Sequence, residues 1–148
     1  MTDIIVAGGG PAGLTAALYA VRAGRSVLVL EEAAPGGQIN FSPLVENYPG
    51  LPGVTGLQLS EALTRQAEEQ GVELDYAQVL GFRPEEGGFA VETDGGPLHC
   101  RALILARIIL LIIAALQVQN LSVIVTRQED LQSDGHGDAD GSAYYRTQ

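Results

Sequence analysis

With 148 residues, the chain is long enough for one ordinary domain with a buried core and leaves little room for a second, independent substrate domain. Its 18 acidic residues against 8 basic ones give a net charge of −10, which argues against a general nucleic-acid binder and disfavours docking on anionic membranes. A single cysteine, Cys100, excludes an intrachain disulfide and a Cys-x-x-Cys redox pair within the chain, and no secretory signal opens the sequence, so we expect a cytoplasmic, reducing location.

A strand, a helix and a second strand are predicted at the start of the chain. The continuous apolar run at residues 4–7 is typical of a strand that is buried on both faces. Residues 11–23 are rich in helix formers and begin with Pro11, which a first helical turn tolerates. Residues 26–30 predict a second buried strand, which Glu31 ends. Together these segments have the size of one βαβ unit.

The next part of the chain is predicted to hold a loop, a helix and further strands. Residues 32–56 are punctuated by glycine and proline and predict a long loop, a kind of segment that is often functional. Residues 57–70 predict an amphipathic helix, whose apolar face is formed by Leu59, Ala62, Leu63 and Ala67. Residues 72–82 are strand-like.

A hairpin is predicted before the composition changes. Residues 88–93 and 97–101 flank Asp94-Gly95-Gly96, which is a hairpin signal, and residues 102–106 predict one more buried strand. We therefore predict an α/β fold, with a parallel sheet opened by the βαβ unit and a small antiparallel sheet near residues 78–101.

The chain changes character after residue 106, where isoleucine becomes frequent and proline no longer occurs. The apolar run at 108–116 is too short to span a bilayer, so no membrane span is expected. Residues 121–126 predict one strand, and the acidic segment 129–142 predicts a disordered or solvated tail. We therefore divide the chain into residues 1–106 and an atypical end at residues 107–148.

A glycine-rich turn joins the first predicted strand to the helix. Gly-Gly-Gly-Pro-Ala-Gly at residues 8–13 matches Gly-x-Gly-x-x-Gly in the strand–turn–helix context that a dinucleotide site requires. Gly8 allows the tight turn, Gly10 lets the backbone approach a pyrophosphate, and Gly13 lets the helix pack closely on the sheet. The helix N-terminus offers N–H groups and the positive end of its dipole to the phosphates.

Glu31 is the candidate ribose-binding residue, because it follows the turn by about twenty residues at the end of the second strand. A carboxylate there accepts hydrogen bonds from ribose hydroxyls and repels a 2′-phosphate, which disfavours NADP in this site. The turn and Glu31 leave NAD and FAD open, since both contain adenosine diphosphate.

Pro-Gly-Gly-Gln at 35–38 and Glu-Asn-Tyr-Pro-Gly at 46–50 follow the turn, and with it they resemble the N-terminal FAD half of thioredoxin reductases and their close flavoprotein relatives. The resemblance includes the turn at 8–14, Glu31, Pro-Gly-Gly-Gln at 35–38 and Glu-Asn-Tyr-Pro-Gly at 46–50, and it continues to Ala-Leu-Ile-Leu-Ala at 102–106. It implies a Rossmann-like FAD-binding domain, and an activity in which NADPH reduces FAD and the flavin reduces a disulfide.

The resemblance also implies roles for individual residues. Gly37 and Gln38 are expected along the flavin and ribityl side of FAD, Asn47 near the isoalloxazine, and Val79 at the adenine through its backbone. The candidate cofactor-binding residues are Gly8, Gly10, Pro11, Ala12, Gly13, Glu31, Gly36, Gly37, Gln38, Asn47, Val79 and Ala106. We predict no catalytic residue and no metal ligand.

The resemblance ends at residue 106, where Arg107-Ile108 replaces the Thr-Gly of such reductases. No second Gly-x-Gly-x-x-Gly and no Cys-x-x-Cys occur, so we expect the chain to lack the NADPH domain and the redox cysteine pair. Two interpretations stay open. One is the flavin half of a redox enzyme, completed by a homodimer or by a complementing chain. The other is a non-catalytic nucleotide-binding module or a truncated or frameshifted inactive fragment.

The remaining polar residues predict no further site. His136 among Asp134, Asp138 and Asp140 is typical of a solvated acidic tail and lacks the length of an EF-hand loop. His99 and Cys100 are neighbours on a strand, so their side chains point to opposite faces and are not expected to share a ligand. Cys100 is interpreted as a half-buried structural thiol.

Overall fold

The computed structural model of the chain describes residues 1–106 and 124–126. Over these residues the strands are β1 (Thr2–Ala7), β2 (Val27–Glu31), β3 (Glu73–Tyr76), β4 (Val79–Glu85), β5 (Gly88–Thr93), β6 (Gly96–Leu105) and β7 (Ile124–Thr126). The helices are α1 (Pro11–Arg22), α2 (Gly56–Glu69) and a 3-10 helix (Gly37–Phe41). The predicted loop at 32–56 therefore contains this short 3-10 helix.

All of these strands belong to one mixed sheet, in the order β3-β2-β1-β6-β5-β4, with β7 paired to β6. The strands β3, β2, β1 and the second half of β6 run parallel, whereas β4, β5 and the first half of β6 form an antiparallel meander. The change occurs at Cys100, which is paired with both Thr2 of β1 and Phe89 of β5. The α/β, Rossmann-like prediction is confirmed.

Two details of the predicted strands were wrong. The segments 97–101 and 102–106 are one strand, because no turn residue separates them and an extended backbone can pair with different neighbours along its length. The predicted antiparallel sheet is thus part of the main sheet. Conversely, the stretch 72–82 is divided into β3 and β4 at Ala77 and Gln78, whose N–H groups donate to the Glu31 carbonyl at 3.1 Å and to the Asp94 carboxylate at 2.9 Å.

The centre of the sheet, around β1 and β2, is buried on both faces, as these continuous apolar strands predict, whereas β3 and β4 are mostly exposed. On one face, side chains of β1, β2 and β6 pack with α1 and α2 in a core that includes Val6, Leu14, Ala17, Val29, Ala67 and Ile104. The other face is formed by Ile5, Ala7, Leu30, Phe89, Val91, Cys100 and Leu103. Because neighbouring residues of a strand point in opposite directions, Ile5 and Val6 enter different cores.

The helix boundaries have identifiable causes. Helix α1 begins at Pro11 and ends before Gly24, whose positive φ of 76° lets the following N–H, that of Arg25, donate to the Ala20 carbonyl at 3.2 Å. Helix α2 begins with a capping box. The Thr55 hydroxyl accepts from the Gln58 N–H at 3.2 Å, and the Gln58 side chain accepts from the Thr55 N–H at 2.9 Å.

No helix among the residues that the structure describes is both long and apolar enough to cross a membrane. The predicted strand at 121–126 is confirmed at β7, and its first three residues lie outside the described ones. The predicted apolar run at 108–116 and the predicted acidic tail at 129–142, with His136, also lie outside them.

Asp3 joins the start of β1 to the start of β2. Its carboxylate accepts from the Ser26 N–H at 3.0 Å and from the Ser26 hydroxyl at 3.1 Å, and the Arg101 guanidinium lies 3.3 Å from its other oxygen. The hydrogen bonds from Ser26, chiefly the backbone one, and then Arg101 hold the pKa of Asp3 below its ordinary value.

Replacing Ser26 with alanine is expected to raise the pKa of Asp3 toward its ordinary value, because the side-chain hydrogen bond to the carboxylate is lost while the backbone one remains. The folded pKa is the depressed one, so the stabilisation is present above the unfolded pKa and is lost as the pH falls through the folded pKa. NMR titration of the Asp3 carboxyl carbon measures the change, with Ser42→Ala as the control. An unchanged Asp3 pKa in Ser26→Ala would contradict the assignment.

Candidate dinucleotide site

The glycine turn lies where β1 ends and α1 begins. Gly8 has a φ of 114° and donates its N–H to the Leu30 carbonyl at 2.9 Å, so the turn leaves β1 while still attached to β2. A Cβ at position 13 would overlap the Gly8 carbonyl oxygen and would lie 3.2 Å from the Ala106 Cβ. Glycine at 8 and 13 therefore lets α1 begin directly against the ends of β1 and β6.

The N-terminus of α1 is open to an anion. Gly10 is the residue before the helix, and no side chain caps it. Pro11 has no N–H, and the first helical hydrogen bond, from Leu14 N–H to the Gly10 carbonyl, is 2.9 Å long. The N–H groups of Ala12 and Gly13 precede that bond, so they have no partner within the helix and can donate to a phosphate.

The Glu31 carboxylate is held at the edge of this turn by backbone groups. One oxygen accepts from the Gly9 N–H at 2.8 Å, and the other accepts from the N–H groups of Glu32 and Ala33 at 3.0 and 3.2 Å. Gly9 also packs on this side chain, since a Cβ at position 9 would lie 3.1 Å from the Glu31 Cβ. The carboxylate retains lone pairs for ribose hydroxyls in this position.

A second glycine turn, at residues 35–37, lies against the first. The Gly36 N–H donates to the Gly9 carbonyl at 2.7 Å. A Cβ at position 10 would lie 3.8 Å from the Gly36 carbonyl oxygen, and one at position 37 would lie 3.9 Å from the Gly10 Cα. The glycine backbone of residues 8–10 therefore faces that of residues 36–37, and the gap between them would hold a methyl group at van der Waals contact.

Asn40 and Ser60 support the second glycine turn on the side that faces away from the first turn. Neither residue was predicted from the sequence. Asn40, in the 3-10 helix, donates its side-chain amide to the Pro35 carbonyl at 3.0 Å. The Ser60 hydroxyl, on α2, lies 2.5 Å from the Asn40 side-chain oxygen. One signal in the sequence could have indicated Ser60, which follows Leu59 near the apolar face of the amphipathic helix. A polar side chain that is buried at such a position requires a hydrogen-bond partner.

The two predicted flavin-contacting side chains are solvent-exposed. Gln38 follows Gly37 in the 3-10 helix, next to the second glycine turn. Asn47 lies in a loop that is closed by the β-bridge between Val45 and Val54. Directly after Asn47 the chain forms a turn, in which the Leu51 N–H donates to the Tyr48 carbonyl at 3.2 Å.

The remaining candidates lie at the carboxyl ends of the parallel strands or beside them. Ala106 continues β6, and its N–H donates to the Ala7 carbonyl at 2.9 Å. Val79 is the first residue of β4. It lies two residues after Ala77, whose N–H donates to the Glu31 carbonyl. Direct contacts thus bring together Gly8, Gly9, Gly10, Gly13, Glu31, Gly36, Gly37 and Ala106. Val79 is held apart from them by its pairing with Thr93 of β5 and by packing against the core around Leu30 and Val91. Gln38 and Asn47 are placed only by their neighbours in the chain.

Cys100 has the character of a core residue. The thiol is fully buried rather than half-buried as predicted, because its face of the sheet packs in a core with Ile5, Phe89, Val91 and Leu103. Burial raises the pKa of Cys100 and outweighs a backbone hydrogen bond with Ile5, so the protonated thiol is favoured over a nucleophilic thiolate. His99 is exposed on the opposite face, as expected, and lies 2.9 Å from the Glu85 carboxylate.

Comparisons with known proteins agree with this geometry. The family described as FAD dependent oxidoreductase matches residues 3–86. A thioredoxin reductase of Listeria monocytogenes is 43% identical over 104 residues, which are 70% of this chain and 33% of that protein. The NADPH-dependent thioredoxin reductase 3 of Arabidopsis thaliana is 38% identical over 109 residues, 70% of this chain and 21% of that protein.

A solved structure has the same fold over the same region. The thioredoxin reductase of Lactococcus lactis in its FR conformation superposes with a TM-score of 0.69 at 34% identity, over 71% of this chain and 35% of that one. The chain spans about a third or less of the length of the curated relatives that it matches. It belongs to the family of FAD-dependent oxidoreductases.

Proposed function

We propose that this chain binds FAD through residues 1–106, as the N-terminal portion of a thioredoxin reductase-like FAD-binding domain. The observation that carries the proposal is the pair of facing glycine turns beside the uncapped N-terminus of α1, with the Glu31 carboxylate at their edge. The residues present fit a dinucleotide, because the uncapped N-terminus of α1 offers backbone donors to a pyrophosphate and no side chain of the described residues caps them.

Each part of the site has a chemical role in this proposal. Gly8, Gly10, Pro11, Ala12 and Gly13 form the pyrophosphate-binding turn, and Glu31 accepts from the ribose of the adenosine. The adenine lies at the backbone of Val79. The flavin and ribityl side is contacted by Gly36, Gly37, Gln38, Asn47 and Ala106.

The chain's own residues bind and orient the cofactor, and FAD when bound supplies the electron transfer. The chain supplies no redox thiol pair, because its one cysteine is buried within the sheet. In the proposed setting NADPH is the electron donor and a disulfide the acceptor, and a complementing chain provides the residues for both. The single cysteine favours the cytoplasm as the location.

A second candidate function is a nucleotide-binding module without turnover. The burial of Cys100 and its raised pKa favour this alternative for the isolated chain, because they leave no thiolate to exchange with a disulfide. Such a module would bind FAD, but NADPH would not reduce the bound flavin, and this distinguishes the module from a redox enzyme.

Titration of the purified chain with FAD tests the proposal. We expect quenching of flavin fluorescence and a perturbed visible spectrum, and no response to FMN, which lacks the adenosine diphosphate. Glu31→Ala is expected to weaken FAD binding by about ten- to a hundredfold, because a charged hydrogen-bond acceptor is lost. Glu69→Ala, at the exposed end of α2, is the control.

The possible outcomes separate the two candidate functions. Absence of any FAD response in the wild-type chain contradicts FAD binding. Bound FAD that NADPH does not bleach supports the module without turnover for the isolated chain, and bleaching by NADPH contradicts it.

A further inference from the structure

A hydrogen-bonded pair, in which Ser60 is buried and Asn40 half-buried, connects α2 to the second glycine turn. Ser60 is 2% exposed, and its hydroxyl lies 2.5 Å from the Asn40 side-chain oxygen and 2.9 Å from the Leu57 carbonyl oxygen. The Asn40 amide donates to the Pro35 carbonyl at 3.0 Å. A carbonyl can only accept, so the amide nitrogen must face Pro35 and its oxygen must face Ser60. The amide of Asn40 therefore has one orientation, and the single hydroxyl proton of Ser60 is shared between the Asn40 oxygen and the Leu57 carbonyl oxygen.

The turn is enclosed between this pair and the first glycine turn. Gly36 has a φ of 102°, and a Cβ there would overlap the Ser60 Cβ, so the turn is in close contact with the Asn40–Ser60 pair on one side. On the other side the Gly36 N–H donates to the Gly9 carbonyl at 2.7 Å. The position of Gly36 and Gly37 relative to Gly10 is consequently determined from both directions.

We propose that Asn40 and Ser60 are positioning residues that select FAD over shorter adenine nucleotides, by fixing the distance of the 35–37 turn from the 8–10 turn. The inference rests on the proposed FAD site, in which Gly36 and Gly37 contact the half of the ligand beyond the pyrophosphate. The pair itself touches neither glycine 8 nor Glu31, which bind the adenosine diphosphate half. Its effect is therefore confined to ligands that extend along the second turn.

The chemistry of the pair supports a positioning role over simple packing. Apolar side chains would join α2 to the turn without the cost of burying a hydroxyl and an amide. Hydrogen bonds add direction, because the Pro35 carbonyl is held at one angle and distance from Asn40. The direction of this hydrogen bond determines the positions of Gly36 and Gly37, which follow Pro35 in the chain.

The test compares FAD with ADP as the two ligands, in the full chain. We expect Asn40→Ala and Ser60→Ala each to weaken FAD binding by about tenfold while ADP binding stays unchanged. The double variant is expected to weaken FAD binding no more than either single one, because both changes break the same connection. Gln66→Ala, an exposed polar residue of α2, is the matched control and leaves both affinities unchanged.

Hydrogen exchange without ligand gives an independent measurement of the pair. The Gly36 amide is expected to exchange about tenfold faster in Asn40→Ala than in the wild-type chain, whereas the amides of β1 keep their protection. Unchanged exchange at Gly36 overturns the inference even if the affinities change.

The outcomes distinguish this inference from the proposed function. Equal losses of FAD and ADP binding, or no loss of either, overturn the positioning role while FAD binding by the wild-type chain stands. A wild-type chain that binds ADP and not FAD overturns the proposed function, and with it the selection of FAD by this pair.

Discussion

Replacing Gly10 with alanine is expected to weaken FAD binding by about a hundredfold without destabilising the fold. Gly10 has a φ of −73°, which alanine adopts without strain, and the nearest atom to a Cβ there is the Gly36 carbonyl oxygen at 3.8 Å. The methyl group would occupy the space between the two glycine turns, where the pyrophosphate must approach the backbone. Binding is measured by flavin fluorescence and stability by thermal unfolding.

The unfolding temperature separates a blocked site from a damaged fold. A glycine-to-alanine change at a compatible backbone angle stabilises by about 0.4–1 kcal/mol, so Gly10→Ala is expected to melt no lower than the wild-type chain. Gly81→Ala, with open space around its Cβ, is the control for binding. If Gly10→Ala binds FAD as tightly as Gly81→Ala does, the pyrophosphate does not lie at this turn.

Replacing Gly13 with alanine is expected to destabilise the folded chain by about 3 kcal/mol. The added Cβ would overlap the Gly8 carbonyl oxygen, which is backbone and cannot rotate away. Helix α1 would have to move off the ends of β1 and β6, and core contacts of Leu14 and Ala17 would be lost. Chemical denaturation measures the free energy of unfolding.

The effect at Gly13 is attributed to the overlap and not to the lost flexibility of glycine. Gly81→Ala, in β4, removes the same flexibility where the new methyl has no neighbour within 4 Å, and it is expected to be neutral or slightly stabilising. Equal stabilities of the Gly13→Ala and Gly81→Ala variants would show that α1 does not need its close approach to the glycine turn.

The sequence predicted the parts of this fold that depend on local pattern. The apolar runs around Ile5 and Val29 and the helix that begins at Pro11 lie within two residues of their predicted bounds. The turn at residues 8–13 was recognisable because each glycine there has a separate steric cause, and Glu31 because it ends a buried strand. These signals are contained within a few consecutive residues.

Features that depend on distant neighbours were not predictable. Cys100 is fully buried because it packs in a core with Ile5 of β1 and Phe89 of β5, and neither neighbour is visible in the residues around position 100. Asn40 and Ser60 are twenty residues apart, and only the return of α2 over the 3-10 helix brings them together. Gly56 permits that approach, since a Cβ there would overlap the Ile39 carbonyl oxygen.

The pairing of β1 with β6 has a consequence for how the chain reaches its folded state. Thr2 is paired with Cys100 and Ala7 with Leu105, so the central strand of the sheet has one neighbour from the far end of the described region. During synthesis from the N-terminus, β1 and β2 emerge early, but one edge of β1 keeps its backbone groups unpaired until β6 has been made. The chain must close a loop of about a hundred residues before these contacts form, which makes this a slow step. Until then an apolar strand with a free edge is exposed to other chains, so the nascent protein is most prone to aggregate before residue 105 leaves the ribosome.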